Sequence, residues 1–69
     1  MSQELRDKLA NNIKKYRIKK RLKREELSLF LGFDNSYISK LEKSRINITL
    51  DKLEQIANYF GIDCYLLLK

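Results

Sequence analysis

The sequence predicts a small all-α domain of five helices. It contains no proline and only two glycines in 69 residues, which disfavours the frequent tight turns of an all-β fold. Apolar residues recur three or four positions apart along most of the chain, the spacing of an amphipathic helix. No repeat, low-complexity tract or linker interrupts this pattern, so we expect residues 1–69 to form one compact domain.

The first three helices follow from apolar spacing and capping residues. The apolar residues that share one face of a first helix, over about residues 3–20, are Leu5, Leu9, Ile13 and Tyr16. A short second helix begins near Lys23 or Arg24 and ends at Gly32, which takes a left-handed helix cap without steric cost. We expect Asp34 to cap a third helix by accepting hydrogen bonds from first-turn amides, with Ile38 turned inward.

Two further helices complete the prediction. Thr49 is expected to cap a fourth helix that ends at Gly61. The apolar face of that helix consists of Leu50, Leu53, Ile56, Ala57 and Phe60. Asp63 is expected to cap a short fifth helix that runs through Leu68.

Positive charge is concentrated in the first third of the chain. Residues 1–24 contain ten lysines and arginines and two acidic residues, whereas residues 25–69 contain five and seven. Such clustering is typical of a domain that binds a polyanion, either nucleic acid or an anionic membrane. A solvated helix face explains a single run such as Lys19–Arg21 equally well, so charge alone does not decide the function.

The connection between the second and third helices indicates a helix-turn-helix over about residues 24–43. Only about three residues, Gly32–Asp34, join them, so the two helices must cross steeply. Ser28 supplies a small residue where the helices touch. The third helix then carries an outward face that is polar and nearly uncharged, composed of Asn35, Ser36, Ser39 and Lys40.

These segments resemble the Cro-type, or lambda-repressor-like, helix-turn-helix family, often called XRE. "IKKYRIKKRLKREELS" is similar to the family's first helix and the start of its second, and "GFDNSYISKLEKS" to its turn and recognition helix. "NITLDKLEQIANYFGIDCYLLL" is similar to the two closing helices. The small regulators of restriction-modification operons are an especially near match, and phage repressors and antitoxin-like regulators share most of the pattern.

The resemblance implies a transcriptional regulator that binds double-stranded DNA without a cofactor. The residues it places at base edges in the major groove are Asn35, Ser36, Tyr37, Ser39 and Lys40. The residues it places at phosphates are Lys14, Lys23, Arg24, Lys43, Arg45 and Asn47. It also implies an ion pair between Arg17 on the first helix and Glu42 on the third.

The chain departs from the family pattern at four positions. Arg24 stands where the family usually has glutamine, and Ile48 where it often has proline. Arg21 and Ser44 stand where it often has glycine. A non-glycine residue in a left-handed turn costs about 1 kcal/mol. Either the loops at 20–22 and 44–48 differ from the family's, or they tolerate that strain.

Other classes of function have less support. A protein-protein module, such as an antitoxin that binds a toxin and also DNA, remains the alternative. Binding to a membrane surface is disfavoured because Leu9 and Ile13 are needed for the core. We expect neither catalysis nor a metal site, since histidine is absent, Cys64 is the sole cysteine, and the adjacent Glu25 and Glu26 diverge on a helix. Without a signal peptide or a long apolar segment, we expect a soluble cytoplasmic protein in which Cys64 is structural.

The last apolar residues predict a homodimer. Tyr65, Leu66, Leu67 and Leu68 are consecutive, and consecutive helix positions are about 100° apart, so they cannot all face one core. We expect Leu66 or Leu67 in the core and Tyr65 and Leu68 at a two-fold interface. Two recognition helices would then lie roughly 34 Å apart on an inverted-repeat operator.

Overall fold

The protein folds into four α-helices and one short 3-10 helix, with no strand. The structure is a computed structural model that describes residues 1–69. The helices are α1 (Gln3–Lys19), α2 (Arg24–Leu31), α3 (Tyr37–Glu42) and α4 (Leu50–Phe60), and the 3-10 helix spans Cys64–Leu67. The all-α prediction is confirmed. No helix combines the length and apolar character needed to cross a membrane.

Every helical element contributes to one core. Its completely buried apolar side chains are Leu9, Ile13, Leu27, Ile38, Leu41, Ile56 and Leu67. Burying a side chain of this size contributes about 1.5–3 kcal/mol, so a few such residues stabilise a domain of this length. The core therefore joins α1 and α4 to the helix-turn-helix and leaves the starts of α2 and α3 at the surface.

Several predicted helix ends are confirmed. Gly32 and Gly61 follow α2 and α4 in the left-handed conformation, with φ of 76° and 69°. Thr49 caps α4, since its hydroxyl oxygen accepts a hydrogen bond from the Lys52 amide at 3.2 Å. At these positions the local sequence determines where the helix begins or ends.

The predicted cap of α3 by Asp34 is wrong. The helix begins at Tyr37, and no side chain of its own segment caps it. The amide of Ile38, in its first turn, instead donates to the buried hydroxyl of Ser28 on α2 at 3.2 Å. A hydrogen bond between helices thus replaces the local one.

The predicted short fifth helix is a 3-10 helix over Cys64–Leu67, and the expected cap by the Asp63 side chain does not form. The backbone carbonyl of Asp63 accepts from the Leu66 amide at 3.1 Å. Leu67 is completely buried, and its carbonyl accepts from the Asn12 side chain at 2.9 Å. Asn12 therefore joins the end of this segment to α1.

Arg21 and Ser44 both adopt the left-handed conformation, with φ of 57° and 59°. The loops that the sequence left open therefore keep a turn favourable to glycine and tolerate a side chain there. After α1 the turn closes through the Leu22 amide, which donates to the Arg17 carbonyl at 3.2 Å. This closure sets the direction in which the chain enters α2.

Relief of the strain at Arg21 is measurable. We expect Arg21→Gly to be more stable than Arg21→Ala by about 1 kcal/mol, because only glycine takes this φ without a Cβ clash. Both variants lack the arginine side chain, so their difference in urea denaturation isolates the backbone. Equal midpoints would show that the turn is unstrained.

Candidate nucleic-acid interface

The position of α3 depends on its contact with α2. Ser28 is completely buried, and its small side chain lets the two helices approach. Its hydroxyl satisfies the Ile38 amide, a first-turn donor that would otherwise lack a partner. Its backbone carbonyl accepts from the Phe33 amide at 2.8 Å and so helps to close the turn after α2. One residue thus determines both the spacing and the direction of the two helices.

A buried carboxylate at the end of α3 holds the helix to the rest of the domain. Glu42 retains only 4% of its side-chain exposure. Its Oε2 accepts from Arg17 Nε at 2.6 Å, and its Oε1 from Arg17 Nη2 at 3.1 Å. Arg17 also donates through Nη1 to the Leu22 carbonyl at 2.7 Å. Arg17 and Glu42, the two residues expected to pair, therefore meet through two parallel hydrogen bonds.

Arg24 is a third member of this cluster, which the sequence did not predict. Its Nε donates to Glu42 Oε1 at 3.1 Å, yet half of its side chain remains exposed. The terminal nitrogens of the guanidinium donate to no protein group, so they remain available to an anion. Arg24 therefore joins the start of α2 to α3 and still offers charge to the solvent.

The starts of α2 and α3 border an open polar hollow of about 490 Å³. Its lining contains no apolar residue and consists of Arg17, Lys23, Arg24, Glu25, Asn35, Ser36 and Ser39. Sites for small organic ligands are enclosed and mostly apolar. A wide, cationic and polar hollow instead suits the polar, anionic surface of a nucleic acid.

The five expected base-reading residues divide into two groups. Asn35, Ser36 and Lys40 are exposed and Ser39 partly so. Asn35 and Ser36 lie in the turn before α3, so they project from its N-terminal end. Tyr37 is half-buried and contributes packing as well as a polar edge.

Neighbouring side chains hold the Tyr37 ring. It packs edge-on against Phe33 with ring centroids 4.8 Å apart, and Lys52 Nζ lies 4.5 Å from its centroid. Burial raises the pKa of the Tyr37 phenol above its ordinary value. Like any tyrosine hydroxyl at neutral pH, it can donate a hydrogen bond.

The expected phosphate-binding residues are exposed and lie on both sides of the α3 start. Lys23 and Arg24 begin α2, whereas Lys43, Arg45 and Asn47 follow α3. Lys14 is exposed on α1. The structure therefore brings most of this set to the two ends of the helix-turn-helix.

Arg6 is a residue of this region that the sequence analysis missed. Its Nε and Nη2 donate to Asn47 Oδ1 at 2.9 and 2.7 Å. The Asn47 oxygen is thereby occupied, and its amide N–H groups remain free to donate. The two residues are 41 positions apart, and no periodic pattern in the sequence joins them.

An exposed hydrogen bond lies within the first two turns of α1. Gln3 donates to the Asp7 carboxylate at 2.9 Å. This hydrogen bond, and a smaller contribution from the Ser44 hydroxyl, lower the pKa of Asp7 below its ordinary value. Its contribution to stability is therefore complete above the ordinary aspartate pKa and is lost as the pH falls through the lowered one. At neutral pH the Asp7 carboxylate is therefore ionised and accepts from Gln3.

Comparison with known proteins assigns the family. A family model described as helix-turn-helix matches residues 13–67. The chain belongs to the XRE-type helix-turn-helix family. The resemblance predicted from the sequence is confirmed, and the α2–α3 geometry is the motif that names the family.

A relative in sequence and a solved structure extend the comparison. The chain is 39% identical over 66 residues to the "Neisseria hypothetical transcription factor" of Neisseria meningitidis serogroup B, which covers 96% of this chain. The chain spans 62% of that relative's length. The crystal structure of the hypothetical transcription factor NHTF from Neisseria matches with a TM-score of 0.90 and 36% identity, over 100% of this chain and 80% of that one.

The Glu42 cluster predicts unequal losses of stability. Glu42→Gln leaves the buried Arg17 guanidinium without its counter-charge and should cost about 3–5 kcal/mol, enough to unfold much of the domain. Arg24→Ala removes a half-exposed partner and should cost about 1 kcal/mol or less. Urea denaturation followed by circular dichroism measures both.

Glu54→Gln is the matched control, because Glu54 is exposed on α4 and forms no ion pair. If Glu42→Gln unfolds at the same urea concentration as Glu54→Gln, the buried pair does not hold α3.

Proposed function

We propose that this domain is a sequence-specific transcriptional regulator that binds double-stranded DNA with the start of α3 in the major groove. The observation that carries the proposal is an exposed polar edge, Asn35, Ser36 and Lys40, on a short helix held by buried polar contacts. Family membership supports it, as does similarity in sequence and in structure to a hypothetical transcription factor from Neisseria.

The chemistry of the exposed edge suits base recognition. The Asn35 amide matches the donor and acceptor pair of adenine, and the Lys40 ammonium matches the two acceptors of guanine. Ser36 and Ser39 can donate or accept. Tyr37 is restrained by Phe33, so its hydroxyl is better placed at the margin, against a phosphate or a thymine methyl group.

Phosphate contacts would flank this edge and set its register. Lys23 and Arg24 lie on one side, with Lys14 on α1, and Lys43, Arg45 and Asn47 lie on the other. Phosphate contacts position a protein on the duplex without reading its sequence. The free N–H groups of Asn47 and the free guanidinium nitrogens of Arg24 supply neutral and charged donors for this purpose.

We also propose a homodimer formed through the C-terminal segment. Leu67 occupies the core, whereas Tyr65 is 61% exposed and Leu68 is partly buried. A 3-10 helix has three residues per turn, so Tyr65 and Leu68 emerge on one side. Two-fold symmetry would pair two α3 helices with the halves of an inverted repeat.

Selection of bound duplexes from a random pool tests the proposed activity directly. We expect an inverted-repeat motif, and a log affinity that falls linearly with log salt by about 0.9 per phosphate neutralised. Equal weak binding to every sequence, or a complex insensitive to salt, would contradict sequence-specific DNA recognition.

Substitutions distinguish residues that recognise base pairs from residues that position the protein on the phosphates. Asn35→Ala and Lys40→Ala should each cost about 1–3 kcal/mol on the selected site and relax the preference at particular base pairs. Arg45→Ala should weaken all sequences alike and reduce the salt slope by about 1. Lys69→Ala, which removes an exposed lysine at the far end of the chain, is the control. Uniform losses in all three variants would show that α3 does not read bases.

The dimer has its own test. Tyr65→Asp combined with Leu68→Asp should give a folded monomer with much weaker binding to the full repeat, because each half-site then binds alone. Sedimentation measures the mass, and Leu50→Asp, at an apolar residue that is 83% exposed elsewhere, is the control. A monomeric unmutated protein that binds a half-site as tightly as the full repeat would refute the dimer.

A further inference from the structure

Four aromatic rings form a continuous row across the ends of α1, α2 and α4. The ring centroids of Phe30 and Tyr59 are 6.3 Å apart, those of Tyr59 and Phe60 5.8 Å, and those of Phe60 and Tyr16 5.6 Å. Phe30 is 56% exposed, and Leu29 beside it is 66% exposed. The outward face of a surface helix is ordinarily polar. Here α2 presents two adjacent large apolar side chains to the solvent.

Lysines lie along this row. Lys20 Nζ is 5.6 Å from the Tyr59 centroid, and Lys15 and Lys19 are 5.6 and 5.4 Å from that of Tyr16. None of the three forms an ion pair with a carboxylate of the chain. Glu26, the acidic residue of α2 nearest to Phe30, lies one helical turn before it. Its carboxylate accepts a hydrogen bond from the Lys23 amide at 2.8 Å. The lysines beside the apolar patch therefore keep their charge unpaired.

This row lies on a different side of α1 from the candidate DNA interface. Arg17 reaches Glu42 on α3, whereas the preceding residue, Tyr16, packs on Phe60 of α4. Consecutive helix residues point about 100° apart. A molecule bound to the row would therefore leave the start of α3 accessible.

We propose that an aromatic–lysine surface, made of Tyr16, Lys19, Lys20, Phe30 and Tyr59, binds a partner protein through an acidic segment with an apolar anchor. The anchor would pack on Phe30, and its flanking carboxylates would pair with the lysines. Exposed apolar patches edged by charge are typical of protein interfaces.

Charge and ring geometry distinguish this partner from two other occupants. A second copy of the chain would bring the same lysines against one another, so the surface disfavours self-association. Single-stranded nucleic acid would need free ring faces for its bases, but Tyr16 and Tyr59 already carry lysine ammonium groups. A segment with carboxylates beside an apolar side chain complements both the unpaired lysines and the exposed Phe30 ring.

Selection from a displayed library of random peptides tests the proposal on the intact protein. We expect selected peptides rich in aspartate and glutamate around a leucine or an aromatic residue. Fluorescence anisotropy with one synthesised peptide should show binding weakened about tenfold or more by Phe30→Ala, the central apolar contact. Lys19→Glu combined with Lys20→Glu should also weaken it, whereas Leu50→Ala, a control apolar residue on the surface, should not.

The same assay separates this surface from the DNA interface. The peptide should bind with the same affinity in the presence and in the absence of the selected duplex. Failure to find DNA recognition would therefore leave the peptide test unaffected. The proposal is overturned if no peptide is selected, if selected peptides lack acidic residues, or if Phe30→Ala binds them as well as the unmutated protein. Displacement of the peptide by an oligothymidylate, or a dimer that Phe30→Ala disrupts in sedimentation, would assign the surface to the other occupants.

Discussion

The candidate interface depends on the ion pairs that the buried carboxylate of Glu42 forms. This carboxylate joins Arg17 of α1 and Arg24 of α2 to the last residue of α3. A helix of only six residues is not stable alone, because the cost of starting a helix is recovered only over longer segments or through packing. The position of α3 must therefore come from other parts of the chain. A buried ion pair adds little net stability over an apolar contact, but it accepts few alternative geometries.

The consequence of this arrangement is a polar edge that is ordered before it meets a ligand. Ser28 holds the first turn of α3, Arg17 and Arg24 hold its last residue, Glu42, and Arg6 holds the loop beyond it through Asn47. Side chains mounted on such a frame lose less conformational freedom on binding. The same frame exposes Arg24 beside the hollow, so that a structural contact and an anion-binding group share one residue.

The sequence predicts the elements whose causes are local and misses those whose causes are distant. Apolar spacing defines α1, α2 and α4, and Gly32, Gly61 and Thr49 mark their ends correctly. Asp34 and Asp63 were expected to cap helices because their local context suits a cap, but the Ser28 hydroxyl accepts from the first turn of α3 and the Asp63 backbone carbonyl, not its side chain, accepts from the Leu66 amide. The Arg6–Asn47 and Arg24–Glu42 contacts leave no periodic signal in the chain. The Arg17–Glu42 pair was expected from resemblance to a family, not from the spacing of the residues.

We propose that the start of α3, held by this frame, is the surface that meets DNA. Titration of the isotope-labelled protein with its selected duplex, followed by amide chemical shifts, tests this residue by residue. We expect the largest changes at Lys23 and Arg24, at residues 35–40 and in the loop at 43–47, with the aromatic–lysine surface little changed. Changes centred on that surface, or spread evenly over the domain, would contradict it.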